Sequence, residues 1–188
     1  MQETSKYHLT EADLANEQGK VEAAKKNPAD FAVLYDTYYE PIFRFIFQRL
    51  DDKELAFDAT QQVFIKALSN LPKYEYRGVP FASWLFRIAL NELTSLFRLE
   101  QAQRTINIDS VSINSVMEEM EETKIDLYHD KIVAIIAEQL TEDELQIIEM
   151  RFFEKRSFKQ IGDILDITEN NAKVRTYRII DKLKKVIC

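Results

Sequence analysis

Cysteine occurs once in the 188 residues, at Cys188, so neither a disulfide framework nor a cysteine metal cage can form within one chain. A reducing, cytoplasmic setting is the simple expectation. The two histidines, His8 and His129, have no ligand-spaced partner, and no P-loop or glycine dinucleotide fingerprint is present. An enzyme, a metal, a cofactor and a small-molecule substrate are therefore not expected. Glycine (3) and proline (4) are scarce, whereas sheets joined by tight turns use more of both, so the composition leans to all-α. The longest apolar runs fall far short of a bilayer span, and MQETSKYHLTEADLANEQGK at the start is too polar for a signal peptide. Membrane insertion is not expected.

What is present is a soluble, globular balance of 46% hydrophobic and 30% charged residues, in a length that allows one ordinary domain or two small ones. The formal charge of −7 is unevenly spread. Residues 1–29 and 30–104 are each close to neutral, residues 105–150 carry 2 basic against 12 acidic side chains, and residues 151–188 carry 10 basic against 5 acidic. The acidity thus comes from the middle of the chain, and overall pI does not argue against a nucleic-acid partner for the basic end.

Residues 1–29 look like a short helix or frayed extension. FAVLYDTYYEPIFRFIFQRL then places Phe31, Leu34, Tyr35 and Tyr38, followed by Ile42, Phe45, Ile46 and Leu50, at helical spacing around Pro41. Pro41 predicts two helical pieces or one kinked helix. Asp51 or Asp52 can cap the next helix, along which Leu55, Ala59, Gln62 or Val63, Ile65 or Lys66, and Leu68 run to about Asn70. LPKYEYRGVP is a loop broken by Pro72, Gly78 and Pro80. A long helix follows, with Trp84, Leu85, Ile88, Ala89, Leu93 and Leu96 recurring at three and four. Residues 105–126, rich in Ser, Asn, Asp and Glu, form the best linker candidate, and their EEMEE run reads as a solvated spacer. Beyond it, Thr141 and Glu144 make a capping box ahead of Leu145, Ile148 and Phe152.

The stretch from Ser157 to Lys185 carries the sharpest signal. Ser157 can cap a short helix with Ile161, Ile164 and Leu165 inward. Asp166 can take the left-handed turn usually given to glycine, Ile167 fills the corner, and Thr168 caps a second helix. In that helix Ala172, Thr176, Ile179 and Leu183 would face the core, with Asn171, Arg175, Arg178 and Lys182 on a neighbouring face. Helix, tight turn and helix, with a basic polar face on the second, is a helix-turn-helix pattern. Asn170, Asn171 and Lys173 near its start are placed to reach base edges, and the cations further along to neutralise phosphates.

LTEDELQIIEMRFFEKRSFKQIGDILDITENNAKVRTYRIIDKLKK resembles the promoter-binding C-terminal domain of bacterial sigma-70 family factors, and FDATQQVFIKAL with YRGVPFASWLFRIALNEL resembles their N-terminal core domain. The chain is identified as a member of the smallest, extracytoplasmic-function (ECF) class. The resemblance spans about residues 30–104 and 127–186. It implies an all-α chain of two small helical domains on a flexible acidic linker: an extension over 1–29, a region 2-like domain over 30–104, the linker over 105–126, and a region 4-like helix-turn-helix domain over 127–188. It implies core RNA polymerase and promoter DNA as partners, with an anti-sigma factor as a further candidate.

Position by position, the resemblance implies that Asp58, Gln61, Gln62 and Phe64 dock on the polymerase clamp. It places Tyr76, Arg77, Trp84, Arg87, Asn91 and Arg98 on the minus-ten element, where unstacked bases need aromatic platforms and the strand needs cations. Tyr74, Phe81 and Phe86 add aromatics to that segment. Asn170, Asn171, Lys173, Arg175 and Arg178 fall on the minus-thirty-five contacts. An acidic linker would suit the positively lined polymerase channel where this family's linker lies. This sequence has Gln62 where many members have Glu, Asp166 in place of the turn Gly and Thr176 in place of a Leu. Two residues rather than three separate Gly78 from Phe81, and SLFRLEQAQR replaces a dense basic run. Fewer phosphate contacts imply weak DNA binding without polymerase. The competing reading is a stand-alone helix-turn-helix regulator that binds a palindrome as a dimer, which the aromatic 74–98 segment disfavours.

Overall fold

The computed structural model describes residues 10–99, 115–117, 119 and 129–187. Among them every regular element is helical, and the chain divides into two compact units, residues 1–103 and 104–188.

In the first unit, α1 (Glu11–Lys26) opens with a reciprocal Thr10–Asp13 capping box and packs along α2 (Phe31–Leu50). The extension expected over 1–29 therefore belongs, from residue 11 on, to this unit's helical packing. Pro41 sits inside one continuous α2; neither a break nor a second piece results. The two aspartates after α2 divide the turn between them. Asp51 takes the left-handed conformation (φ 52°) that ends α2. The Asp52 side chain accepts the Leu55 N–H at 2.9 Å and starts α3 (Lys53–Asn70). A 3₁₀ turn (Leu71–Lys73) and the loop to Pro80 lead into α4 (Phe81–Arg98).

Packing sets the phase of these helices. α3 lies against both α2 and α4, so its buried stripe is Ala56, Ala59, Thr60, Val63, Phe64 and Ala67. Ile65 and Leu68, expected on the apolar face, are instead outside it. α4 buries Phe81, Ser83, Leu85, Phe86, Ala89, Leu90 and Leu93, leaving Trp84, Ile88 and Leu96 only half-buried. A Lys66–Glu92 ion pair ties α3 to α4.

The second unit comprises α5 (His129–Gln139), α6 (Glu142–Ile148) running into a π-turn (Glu149–Phe153), α7 (Phe158–Leu165) and α8 (Glu169–Ile187). The expected caps are formed: Thr141 with Glu144, and Ser157 with Gln160. Its core joins Ile136, Leu140, Leu145 and Ile148 to Ile179, Ile180 and Leu183. Val116 and Met117, from the segment expected to be a linker, are buried in the same core. This short helical piece is packed rather than solvated, because its two apolar side chains leave water, and the unit reaches back before residue 127. The rest of the acidic run, including Glu118, Glu121 and Glu122, lies outside the described residues.

Glu144 joins α6 to α8 through the Lys182 ammonium at 2.7 Å while also accepting the Thr141 N–H at 2.9 Å. Partial burial pushes its carboxyl up, but these hydrogen bonds outweigh it and hold the group below its ordinary value. Its stabilisation is therefore present above the ordinary glutamate range and is lost as pH falls through the lowered folded value. Glu144→Ala is expected to cost about 1 kcal/mol at neutral pH, seen in urea melts, with the deficit shrinking in acid.

Candidate nucleic-acid and protein interfaces

The helix-turn-helix geometry comes first from backbone chemistry. Asp166 ends α7 in the left-handed region (φ 59°, ψ 42°), with its N–H on the Gly162 carbonyl. The Ile167 N–H reaches the same carbonyl at 3.0 Å. Thr168 then accepts the Asn171 N–H at 3.2 Å and caps α8. Ala172, Thr176, Ile179 and Leu183 are buried, as their spacing requires. The Thr176 hydroxyl donates to the Ala172 carbonyl at 2.9 Å, so a polar residue at this core position leaves its donor satisfied.

The opposite side of α8 is exposed and carries Asn170, Asn171, Lys173, Arg175 and Arg178 together. Arg175 Nε donates to Asn171 Oδ1 at 3.0 Å, pre-aligning a cation with an amide that can both donate and accept at a base edge. Two exposed neighbours were not singled out by sequence: Val174 and Tyr177. Tyr177 follows Lys173 by one turn, and that spacing was the available signal. Its ring packs on Phe158, over which the Arg151 guanidinium sits at 4.5 Å. The neighbouring Glu119 carboxylate, by hydrogen bonding and then by its charge, holds the Tyr177 phenol above its ordinary value.

In the first unit α4 presents Trp84, Arg87, Asn91 and Arg98 on one outward strip, since the first three are about one turn apart and Arg98 lies two turns beyond Asn91. Asn91 and Arg98 are exposed, and Trp84 and Arg87 half-buried. Tyr76 (half-buried) and Arg77 (exposed) come from the loop before α4, where Gly78 takes φ 75°. Of the other aromatics, Tyr74, Phe81 and Phe86 are buried and serve as packing. Trp84 lies at the rim of that packing, 4.8 Å from the Tyr74 ring and 5.3 Å from Phe81. Burial, reinforced by the charge of Glu17, pushes the Tyr74 hydroxyl up to about 12.

On α3, Asp58 and Gln62 are exposed, and Gln61 is half-buried with its amide on the Tyr35 hydroxyl at 3.1 Å. Phe64 does not join them. It is 3% exposed and packs against Phe31, Tyr35 and Tyr39, so in this conformation it supports the face from beneath. The outward surface instead carries Phe57 (49% exposed), Ile65 (55%) and Leu68 (39%). Sequence periodicity put Ile65 and Leu68 on the apolar face without the phase that two flanking helices impose, and did not single out Phe57. Large apolar side chains left outside on a helix beside an acid and two amides suit a protein partner.

Among the described residues no cluster of His, Cys, Asp and Glu is placed to hold a metal, and no helix is long and apolar enough to cross a membrane.

Comparisons with known proteins agree with both units. The family model for Sigma-70 region 2 matches residues 34–103, and that for Sigma-70, region 4 matches residues 137–185. The ECF RNA polymerase sigma factor BldN of Streptomyces coelicolor is 24% identical over 179 residues, covering 94% of this chain and 68% of the relative. The ECF RNA polymerase sigma factor SigX of Bacillus subtilis is 26% identical over 162 residues, covering 82% of each. Among solved structures, CnrH in complex with the cytosolic domain of CnrY shares the fold, with a TM-score of 0.57 at 17% identity over 91% of this chain and 96% of that one.

Proposed function

The chain belongs to the sigma-70 family, in its ECF type, and from that premise we propose that it binds core RNA polymerase, recognises and opens a two-element promoter, and directs transcription initiation. The observation that carries the reading is one chain holding, in this order, an α4 with aromatics and cations at its exposed edge and a helix-turn-helix with an exposed basic face. In this reading the chain makes and breaks no bond. It acts by placing two DNA-reading units on one enzyme.

The α3 face of Phe57, Asp58, Gln61, Gln62 and Ile65 docks on polymerase. Tyr76 and Trp84 hold unstacked bases of the minus-ten element while Arg77, Arg87, Asn91 and Arg98 follow the strand. Asn170, Asn171, Lys173, Arg175 and Arg178 read the minus-thirty-five element. Each DNA contact is weak alone; joined through polymerase, the second forms at high effective concentration. The acidic segment, apart from its packed Val116–Met117 piece, is the spacer that permits this, and an anti-sigma factor that covers these faces would silence the chain.

The test is a pull-down with purified bacterial core polymerase, followed by transcription from genomic fragments. Stable binding and new start sites preceded by a shared pair of elements are expected. A chain that ignores polymerase and binds a palindrome as a dimer would instead be a stand-alone regulator. Within the expected result, Arg178→Ala should weaken holoenzyme binding to the upstream element and reduce the log K versus log salt slope by about 1.

A further inference from the structure

Helix α1 holds little apolar surface, yet it buries a glutamate: Glu17 is 8% exposed beside Val21 and Ala24. A buried carboxylate must be hydrogen-bonded, and both of its oxygens are used. Oε1 accepts the hydroxyl of Tyr38 on α2. Oε2 accepts the backbone N–H of Phe81 at 2.8 Å, across 64 residues of sequence.

Phe81 is the first residue of α4, where backbone N–H groups have no partner within the helix. The residue before it, Pro80, has neither a side-chain acceptor nor an N–H, and supplies no side-chain cap. Glu17 takes that place from another helix, with a full negative charge at the positive end of the α4 dipole. The pinned residue is also a packing hub, its ring meeting Tyr38, Tyr74 and Trp84 at 6.0, 5.2 and 5.3 Å. Lys25, two turns along α1, lies 5.6 Å above the Tyr74 ring. The loop that displays Tyr76 and Arg77 is therefore gripped at both ends, Tyr74 and Phe81, and both grips involve α1.

We propose that Glu17 is a positioning residue for promoter opening, acting as a remote cap that fixes the α4 start and the loop from Tyr74 to Phe81 in the shape that captures unstacked bases. This rests on the assignment of that loop to the minus-ten element. Holding the loop in its binding shape before DNA arrives removes an ordering cost from the opening step, not from docking on polymerase. The α3 face has no hydrogen bond to Glu17 among the described residues.

The test uses full-length Glu17→Gln and Glu17→Ala with core polymerase and a duplex promoter found by the genomic transcription experiment. Opening is read as permanganate reactivity of minus-ten thymines at saturating holoenzyme, and polymerase affinity is titrated separately. The first-order opening rate is expected to fall about tenfold in Glu17→Ala and less in Glu17→Gln, which keeps an acceptor but loses the charge. Polymerase affinity is expected to stay within about twofold of wild type. Hydrogen exchange in the peptide spanning 74–82 should rise in both variants, a readout independent of transcription. Unchanged opening rates, or opening and polymerase affinity falling in parallel in Glu17→Gln, would overturn the positioning role. Wild-type protein that binds polymerase but opens no promoter would overturn the underlying functional reading, even if exchange over 74–82 still responds to Glu17.

Discussion

Gly162→Ala is expected to abolish transcription from promoters that need the upstream element while leaving polymerase binding through the first unit intact. In an open helix interior this change stabilises by about 0.5–1 kcal/mol, since alanine has the higher helix propensity. Here a Cβ would lie 2.7 Å from the Ile167 carbonyl oxygen, and 3.3 Å from the Glu169 nitrogen and the Thr168 carbonyl carbon. All three are backbone atoms of the turn, so no flexible side chain can move aside. The turn is also bonded back to Gly162 itself through the Asp166 and Ile167 N–H groups. Relief must come from displacing Thr168 and the start of α8, which carries Asn170 and Asn171. Overpacking of this kind costs about 1–3 kcal/mol, enough to reverse the propensity gain. Gly19→Ala is the control. Gly19 lies in α1 with nothing within 4 Å of the added carbon, and that variant should be slightly stabilised in urea melts. If Gly162→Ala were equally benign and still used the upstream element, the close approach of turn and helix would not be a requirement of the fold.

The second large effect is expected at Ile65. Ile65→Arg should lower affinity for core polymerase at least tenfold, consistent with loss of about 1.4 kcal/mol or more from an interface anchor. Because Ile65 is more than half exposed, folding stability should change by no more than about 0.5 kcal/mol. Phe64→Ala makes the contrast. It empties a site between Phe31, Tyr35 and Tyr39, and should cost about 3–5 kcal/mol of stability. Its binding defect would then track the unfolded fraction. A titration of both variants, with urea melts alongside, separates a surface anchor from a buried support. Full polymerase affinity in Ile65→Arg would move the docking face elsewhere on the unit.

The local chemistry of the helix-turn-helix was legible because every signal in it acts within a few residues. Ser157, Asp166 and Thr168 cap, turn and cap using their own side chains or their own backbone, and the four-residue spacing of Ala172 and Thr176 needs no distant partner. The exposed face of α8 followed directly from that spacing. The proposed docking side of α3 was legible only in part. Asp58 and Gln62 declare themselves as polar, but Phe64 and Ile65 are adjacent apolar residues with opposite fates.

The sequence by itself determined the all-α class, the uneven charge, the caps and turns, and the helix that carries Asn170, Lys173 and Arg178, because hydrogen-bond geometry and helical period are local. Tertiary structure alone decided which way α3 and α4 rotate, and so why Phe64 and Phe86 are core while Ile65 is surface: two neighbouring helices choose the buried stripe. It alone showed Val116 and Met117 leaving an acidic segment for a hydrophobic core. It alone joined Glu17 to Phe81, since an unpaired helix N–H can be satisfied by any acceptor the fold brings near, and no spacing rule reaches across 64 residues.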